Sequence, residues 1–245
     1  MSSSRLEAAD DDGVGMAADN APAAALQLAQ EQENARVTLF RCLRTLLRMM
    51  EVRGYTVLTE DIDQYQNRRR AEEVESSREI ILYAEVPEDP ARMTTAWALG
   101  LPPGSKLGVI AIDQGNVRAM KGVLQTMVDE GLQTLILVSR LPLTTYSKKF
   151  LADKAQPGEV IQHFQYGDLQ KPIVDHKLVP RHAPLNQAMT KVVVDRFVGG
   201  KFPRLLVRDP MVRFLGLPMG AIVAVREVFG REQAVITYFE VHDVY

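Results

Sequence analysis

Three apolar runs, at 80–86, 107–112 and 134–138, constrain the fold of this chain most, because the last two bracket one amphipathic segment. Within that segment Val117, Met120, Val123 or Leu124, Met127 and Val128 recur at three- and four-residue steps, the spacing of a single helix face. Asn116 stands where it can cap the helix, and Gly131 where it can end it. Strand, helix and strand at this separation make a right-handed crossover unit, which requires part of the sheet to be parallel. A helix from Thr144 or Thr145 to about Ala152 and a strand over 159–164 then complete an α/β domain ending near residue 168.

Upstream, residues 1–30 are rich in Ala, Asp and Ser and almost without large apolar side chains. Such a segment buries too little to offset the entropy of ordering, so a flexible tail is expected. Val37, Phe40, Leu43, Leu47 and Met50 give 31–53 the period of an amphipathic helix, which Gly54 closes. After Tyr55 the chain starts extended and is expected to turn into a second helix at Thr59. The charged stretch 64–79, with Arg68, Arg69 and Arg70, reads as surface.

Beyond Lys171 the pattern changes. A helix is expected over 187–197, then a short one opened by Asp209 with Pro210 at its first position. Strands over 221–226 and 234–241 finish the chain, separated by a Phe-Gly-Arg turn. The expected fold is therefore an N-terminal α/β domain with a mixed sheet and crossover helix (31–168), followed by a small C-terminal α+β domain (169–245). A module of that size, with neither metal nor disulfide, is small for independent stability and should lean on a neighbour.

The net charge of −2 conceals an asymmetry: residues 1–35 hold seven acidic side chains against Arg5, leaving the remainder at +4. A mildly basic body is compatible with nucleic acid or an acidic partner. Cys42 is the sole cysteine, which excludes an internal disulfide and points to a reducing compartment. With no run near 18 apolar residues and no basic-then-apolar start, neither a membrane span nor a secretory signal is expected.

Catalytic sets are missing from the sequence. His163, His176, His182 and His242 offer one close spacing, His176/His182, and Pro180 between them prevents a shared helix face, so no metal site is expected. Gly100-Leu-Pro-Pro-Gly-Ser-Lys106 has the wrong spacing and order for a phosphate loop and leads into a strand. Glu85 and Asp113 lack the clustered carboxylates of two-metal hydrolysis, and no Gly-x-Ser-x-Gly elbow supports acyl chemistry. Neither a cofactor nor a small-molecule substrate is expected. Two basic features remain. Arg41, Arg44 and Arg48 share a helix face, either as a solvated stripe or as a phosphate contact. Arg140, Lys148 and Lys149 flank the helix start at Thr144/Thr145, where free backbone N–H groups suit phosphate oxygens.

The ordered set His176-Lys-Leu178-Val179-Pro180, Phe202-Pro203-Arg204, Asp209-Pro210-x-x-Arg213-Phe214-x-Gly216-Leu217 and Thr237-Tyr238 resembles the fifth-largest-subunit family of eukaryotic nuclear DNA-dependent RNA polymerases. The likeness covers roughly 31–245 and extends more loosely to Leu43-Arg44-Thr45 and Arg53-Gly54-Tyr55. It implies a nuclear, non-catalytic subunit with an N-terminal jaw beside downstream duplex DNA. Its C-terminal assembly domain, of a kind shared with archaeal polymerases, would dock on the largest subunit, with other polymerase subunits as neighbours. On that basis the docking residues are His176, Leu178, Val179, Pro180, Pro203, Arg204, Asp209, Pro210, Arg213, Gly216, Leu217 and Tyr238. The DNA-proximal ones are Arg140, Thr144, Thr145, Lys148 and Lys149, aided by Arg41, Arg44 and Arg48. The chain departs from the family at Thr144-Thr145-Tyr146-Ser147, which lacks a proline, at Pro218-Met219, which replaces two basic residues, and in its last residues. Those departures suit a diverged paralogue serving one polymerase class. A free-standing nucleic-acid-binding or adaptor module of the same fold is the alternative.

Overall fold

The computed structural model describes residues 21–57, 80–87, 100–112, 115–155, 158–197, 201–229 and 233–243. The helix expected from Thr59, the cluster Arg68–Arg70 and the tip of the Phe-Gly-Arg turn lie outside them. No helix among the described residues is long and apolar enough to cross a membrane.

Helix α1, Ala21–Arg53, begins inside the segment expected to be a flexible tail. Burial arguments miss this start because it is local: Ala, Leu, Gln and Glu are strong helix formers, and Pro22 falls in the first turn, where it removes no bond. The buried face is Leu39, Cys42, Leu43, Leu46, Met49 and Met50, whereas Phe40 is exposed. The expected period is right, but the face is rotated by about one residue. Gly54 ends the helix at φ 85°, and Tyr55 N–H donates back to the Met50 carbonyl at 2.9 Å.

A five-stranded sheet follows, β1 (Thr56–Val57), β2 (Ile80–Glu85), β3 (Lys106–Ile112), β4 (Thr134–Ser139) and β5 (Val160–Gln165), in sequential order. The first two pairings are antiparallel, and β3–β4 and β4–β5 are parallel, as the crossover reading required. The crossovers are α2 (Val117–Asp129) and α3 (Thr145–Lys154). Strand side chains alternate between two cores. Leu107, Val109, Ala111, Ile136 and Val138 pack with α1, while Ile110, Ile112, Leu135 and Leu137 pack with α2 and Leu151 of α3. A sheet covered on both faces explains why β3 and β4 read as continuous apolar runs. Val128, assigned to the apolar face of α2, is in fact exposed, and Ala119 takes part instead.

The remaining chain forms β6 (Arg181–Pro184), α4 (Gln187–Arg196), β7 (Arg204–Leu206), α5 (Pro210–Leu215), β8 (Ile222–Phe229) and β9 (Gln233–His242). Its sheet runs β6-β8-β9-β7, with β7 parallel to β9 and the other pairs antiparallel. β6 and β7 were not expected, because four and three residues, interrupted or preceded by proline, carry no two-residue alternation. The core of this part, including Met211, Val212, Leu215, Val223 and Val241, also takes in Val52 of α1. Two mixed sheets in one α+β arrangement are the observed architecture.

Candidate nucleic-acid and subunit interfaces

The carboxyl ends of β3 and β4 bring two helix N-termini together. Asn116 caps α2 by accepting the Ala119 N–H at 2.8 Å, and Thr144 caps α3 by accepting the Ser147 N–H at 3.1 Å. The Ser147 hydroxyl donates to the Gly115 carbonyl at 2.6 Å and so pins one cap to the other. Glycine suits position 115, since a Cβ there would lie 2.7 Å from Leu143 Cδ2 and 3.2 Å from its Cα. Around this rim Arg118, Lys121, Arg140, Thr145, Lys148 and Lys149 are all exposed, and Tyr146 is 70% exposed. Helix N-termini and cations on one edge make a surface that attracts polyanions.

Arg41, Arg44 and Arg48 do not join this rim, because α1 packs on the opposite face of the sheet from α2 and α3. Arg41 and Arg44 are exposed there. Arg48 is committed within the chain: it donates to Asp175 at 3.0 Å and to Glu51 at 2.7 Å, and these carboxylates, Asp175 first, hold its pKa above the ordinary value.

The residues expected to dock a partner divide into two groups. His176, Leu178, Pro203, Arg204 and Pro210 are exposed, Leu178 by 86%, and Val179, Pro180 and Tyr238 are half-buried. A groove of about 700 Å³ runs between 177–181 and 226–228 beside Leu178. The other four work inside the chain. Asp209 caps α5 by accepting from Met211 N–H at 2.8 Å and Val212 N–H at 3.3 Å. Asp209→Ala should therefore cost about 1 kcal/mol in thermal or urea unfolding. Leu217 is buried in the C-terminal core. Arg213 donates to the His163 carbonyl at 2.8 Å and to Asp168 at 3.2 Å, with its guanidinium 4.7 Å from the Phe164 ring centroid. Gly216 ends α5 at φ 69°, and a Cβ there would approach the Arg53 guanidinium carbon to 2.9 Å.

Arg53 is the centre of this seam, and sequence reasoning missed it. Its side chain is 4% exposed, with Nε donating to the Phe214 carbonyl at 2.8 Å. Nη2 donates to the Arg213 carbonyl at 2.9 Å and to Gln162 Oε1 at 2.8 Å. An arginine in the last turn of a helix reads as solvated and dipole-compensating. Here it caps a second helix, α5, whose terminal carbonyls accept its N–H groups. Burial lowers its pKa to about 10, against the opposing influence of Tyr55, so it stays charged at neutral pH.

His163 and Ser139 lie 2.7 Å apart, a spacing that suggests a nucleophile–base pair. The arrangement is structural: the Ser139 hydroxyl is buried and donates to the Leu141 carbonyl at 2.5 Å. The oxygen therefore accepts from the His163 Nε2–H, the reverse of general-base geometry. Burial first, then Lys148 and Arg213, pushes the His163 pKa down to about 4 from 6.5, with Asp168 opposing. The unfolded chain consequently binds the extra proton between pH 6.5 and 4, and stability falls as pH drops through that window. We expect a loss of about 1–2 kcal/mol there after solvent screening, absent from His163→Gln and measurable by urea unfolding at about pH 7 and 4.5. Cys42 is inert in the same sense. Burial pushes its thiol up to about 12 despite the Gln170 hydrogen bond.

Residues 171–238 match the family described as RNA polymerase Rpb5, C-terminal domain. Over 196 residues the chain is 25% identical to DNA-directed RNA polymerases I, II, and III subunit RPABC1 of Caenorhabditis briggsae, covering 76% of this chain and 87% of the relative. It is 25% identical over 190 residues to the corresponding subunit of Dictyostelium discoideum, covering 76% and 88%. Against DNA-directed RNA polymerase subunit 5-like protein 1 of Arabidopsis thaliana the identity is 26% over 199 residues, covering 77% and 88%. Residues 171–238 are thus similar to the Rpb5 C-terminal domain, and about three quarters of the chain is similar, at low identity, to subunits of DNA-directed RNA polymerases.

Proposed function

We propose that this chain is a non-catalytic subunit of a nuclear DNA-directed RNA polymerase. In this reading residues 169–245 are an assembly domain that docks on the largest subunit. Residues 31–168 are a jaw that presents the α2/α3 rim to downstream duplex DNA. The observation that carries it is the family match at 171–238, joined to a half-exposed motif whose outward members, Leu178, Pro203 and Arg204, face solvent rather than a core. The Ser139–His163 contact, oriented opposite to general-base geometry, fits a structural role for that pair.

Affinity purification of the tagged full chain from nuclear extract tests the docking half. Recovery with the largest polymerase subunit is expected, and migration only as a monomer of 27.4 kDa would contradict it. For the rim, Lys148→Ala with Lys149→Ala should weaken binding of duplex DNA uniformly across sequences. Every phosphate that the variant no longer neutralises should flatten the plot of log K against log salt by about 0.9. An unchanged slope would remove these lysines from the DNA path. Serving one polymerase class rather than all is the finer part of the proposal, and mass spectrometry of the purified complex decides it.

A further inference from the structure

A cleft of about 250 Å³ lies where α5 meets the open edge of β5. Its walls are Leu101, Val160, Leu215, Leu217 and Pro218, and Arg53 and Gln162 supply polar atoms to it. Arg53 has five N–H donors. Its Nε and both Nη2 hydrogens are taken by Phe214, Arg213 and Gln162, while Nη1 has no partner among the described residues. Nor does any described carboxylate pair with this buried cation. Nη1 lies against Gly216, itself part of the cleft wall, at 3.0 Å from where a Cβ would stand. Gln162 accepts from Arg53 through Oε1, which leaves its amide N–H groups on the other side of the same carboxamide, without a partner among the described residues.

We propose that this cleft binds a small aliphatic carboxylate. Its oxygens receive the Arg53 Nη1–H and Gln162 Nε2–H, and its alkyl body lies against the leucine and proline wall. A buried cation without a counter-ion is costly, and a planar anion is the partner a guanidinium fits best. The apolar walls disfavour phosphate, which keeps hydration on all its oxygens. The volume corresponds to about eight waters, room for an acid of about four carbons. A free aliphatic acid and the C-terminal carboxylate of a peptide present the same chemistry. The inference does not rest on the polymerase reading, so either can fail alone.

The test uses the full chain at constant pH and ionic strength. Sodium butyrate should raise Tm with the logarithm of its concentration above Kd, by about 3 °C at ten times its Kd, while butyramide leaves Tm unchanged. The Arg53 Nε–Hε NMR signal should move with the same Kd. N-acetyl-Ala-Val with a free terminus, compared with its amide, separates a peptide source from a free acid. Leu101→Trp, which fills the cleft and leaves Arg53 in place, should abolish both responses, and Gln162→Leu should weaken binding about tenfold. An Arg53 signal unmoved through both titrations overturns the proposal. So does an equal Tm response to butyrate and butyramide.

Discussion

Arg53→Met is expected to lower unfolding stability by about 3 kcal/mol, a large fraction of what a domain of this size possesses. Methionine retains much of the apolar volume, so the loss isolates the polar role. The Phe214 carbonyl has its hydrogen bond from Arg53, and the substitution leaves it buried and unsatisfied, along with the end of α5. Urea denaturation followed by tryptophan fluorescence and by far-UV circular dichroism checks this. Because Arg53 ties α1 to α5, the variant should also separate the transitions of the two parts, so that the two probes no longer coincide. Gly216→Ala is the companion from the other side. A side chain at φ 69° is strained, and its Cβ would displace the guanidinium, for a loss of about 2 kcal/mol. Should Arg53→Met unfold within about 0.5 kcal/mol of the parent, the seam is not what joins the halves.

Leu178→Asp should reduce recovery of the largest polymerase subunit by about 30-fold, the equivalent of an interface residue carrying about 2 kcal/mol. Leu178 lies within a turn closed by Val179 N–H to the His176 carbonyl at 3.0 Å, and its side chain is exposed beside a groove. Placing a large apolar side chain there gains the isolated chain nothing, so the substitution should leave Tm unchanged. Quantitative pull-down with a matched thermal melt reads both numbers. Equal recovery from parent and variant would move the docking surface elsewhere; a lowered Tm would show that Leu178 serves the fold instead.

The order of elements through β3, α2, β4, α3 and β5 was legible in the chain because each carries a period or a cap that acts locally. Asn116 and Asp209 each cap the helix they were expected to open, and of Thr144 and Thr145 it is Thr144 that caps α3. The rim cations were legible for the same reason, since a helix start and its flanking lysines are neighbours in sequence. The rotated face of α1 was not. Phe40 and Leu47 satisfy the period as well as Leu39 and Leu46, and the sheet below chooses between them. Nor did any local signal reveal β6 and β7, whose partners β8 and β9 lie tens of residues away.

The sequence alone determined most of the helices and the longer strands, and that the last third carries a recognisable ordered motif. Periodicity, capping and residue type are properties of neighbours along the chain, so they survive without the fold. Only the tertiary structure decided how that motif is used. It divides it between Leu178, Pro203 and Arg204, which face outward, and Asp209, Arg213, Gly216 and Leu217, which hold the chain to itself. It also made Arg53, at the end of α1, a buried cation bonded to carbonyls 160 and 161 residues away. Desolvation and long-range hydrogen bonding depend on what packs above a side chain, and a linear pattern carries no record of that.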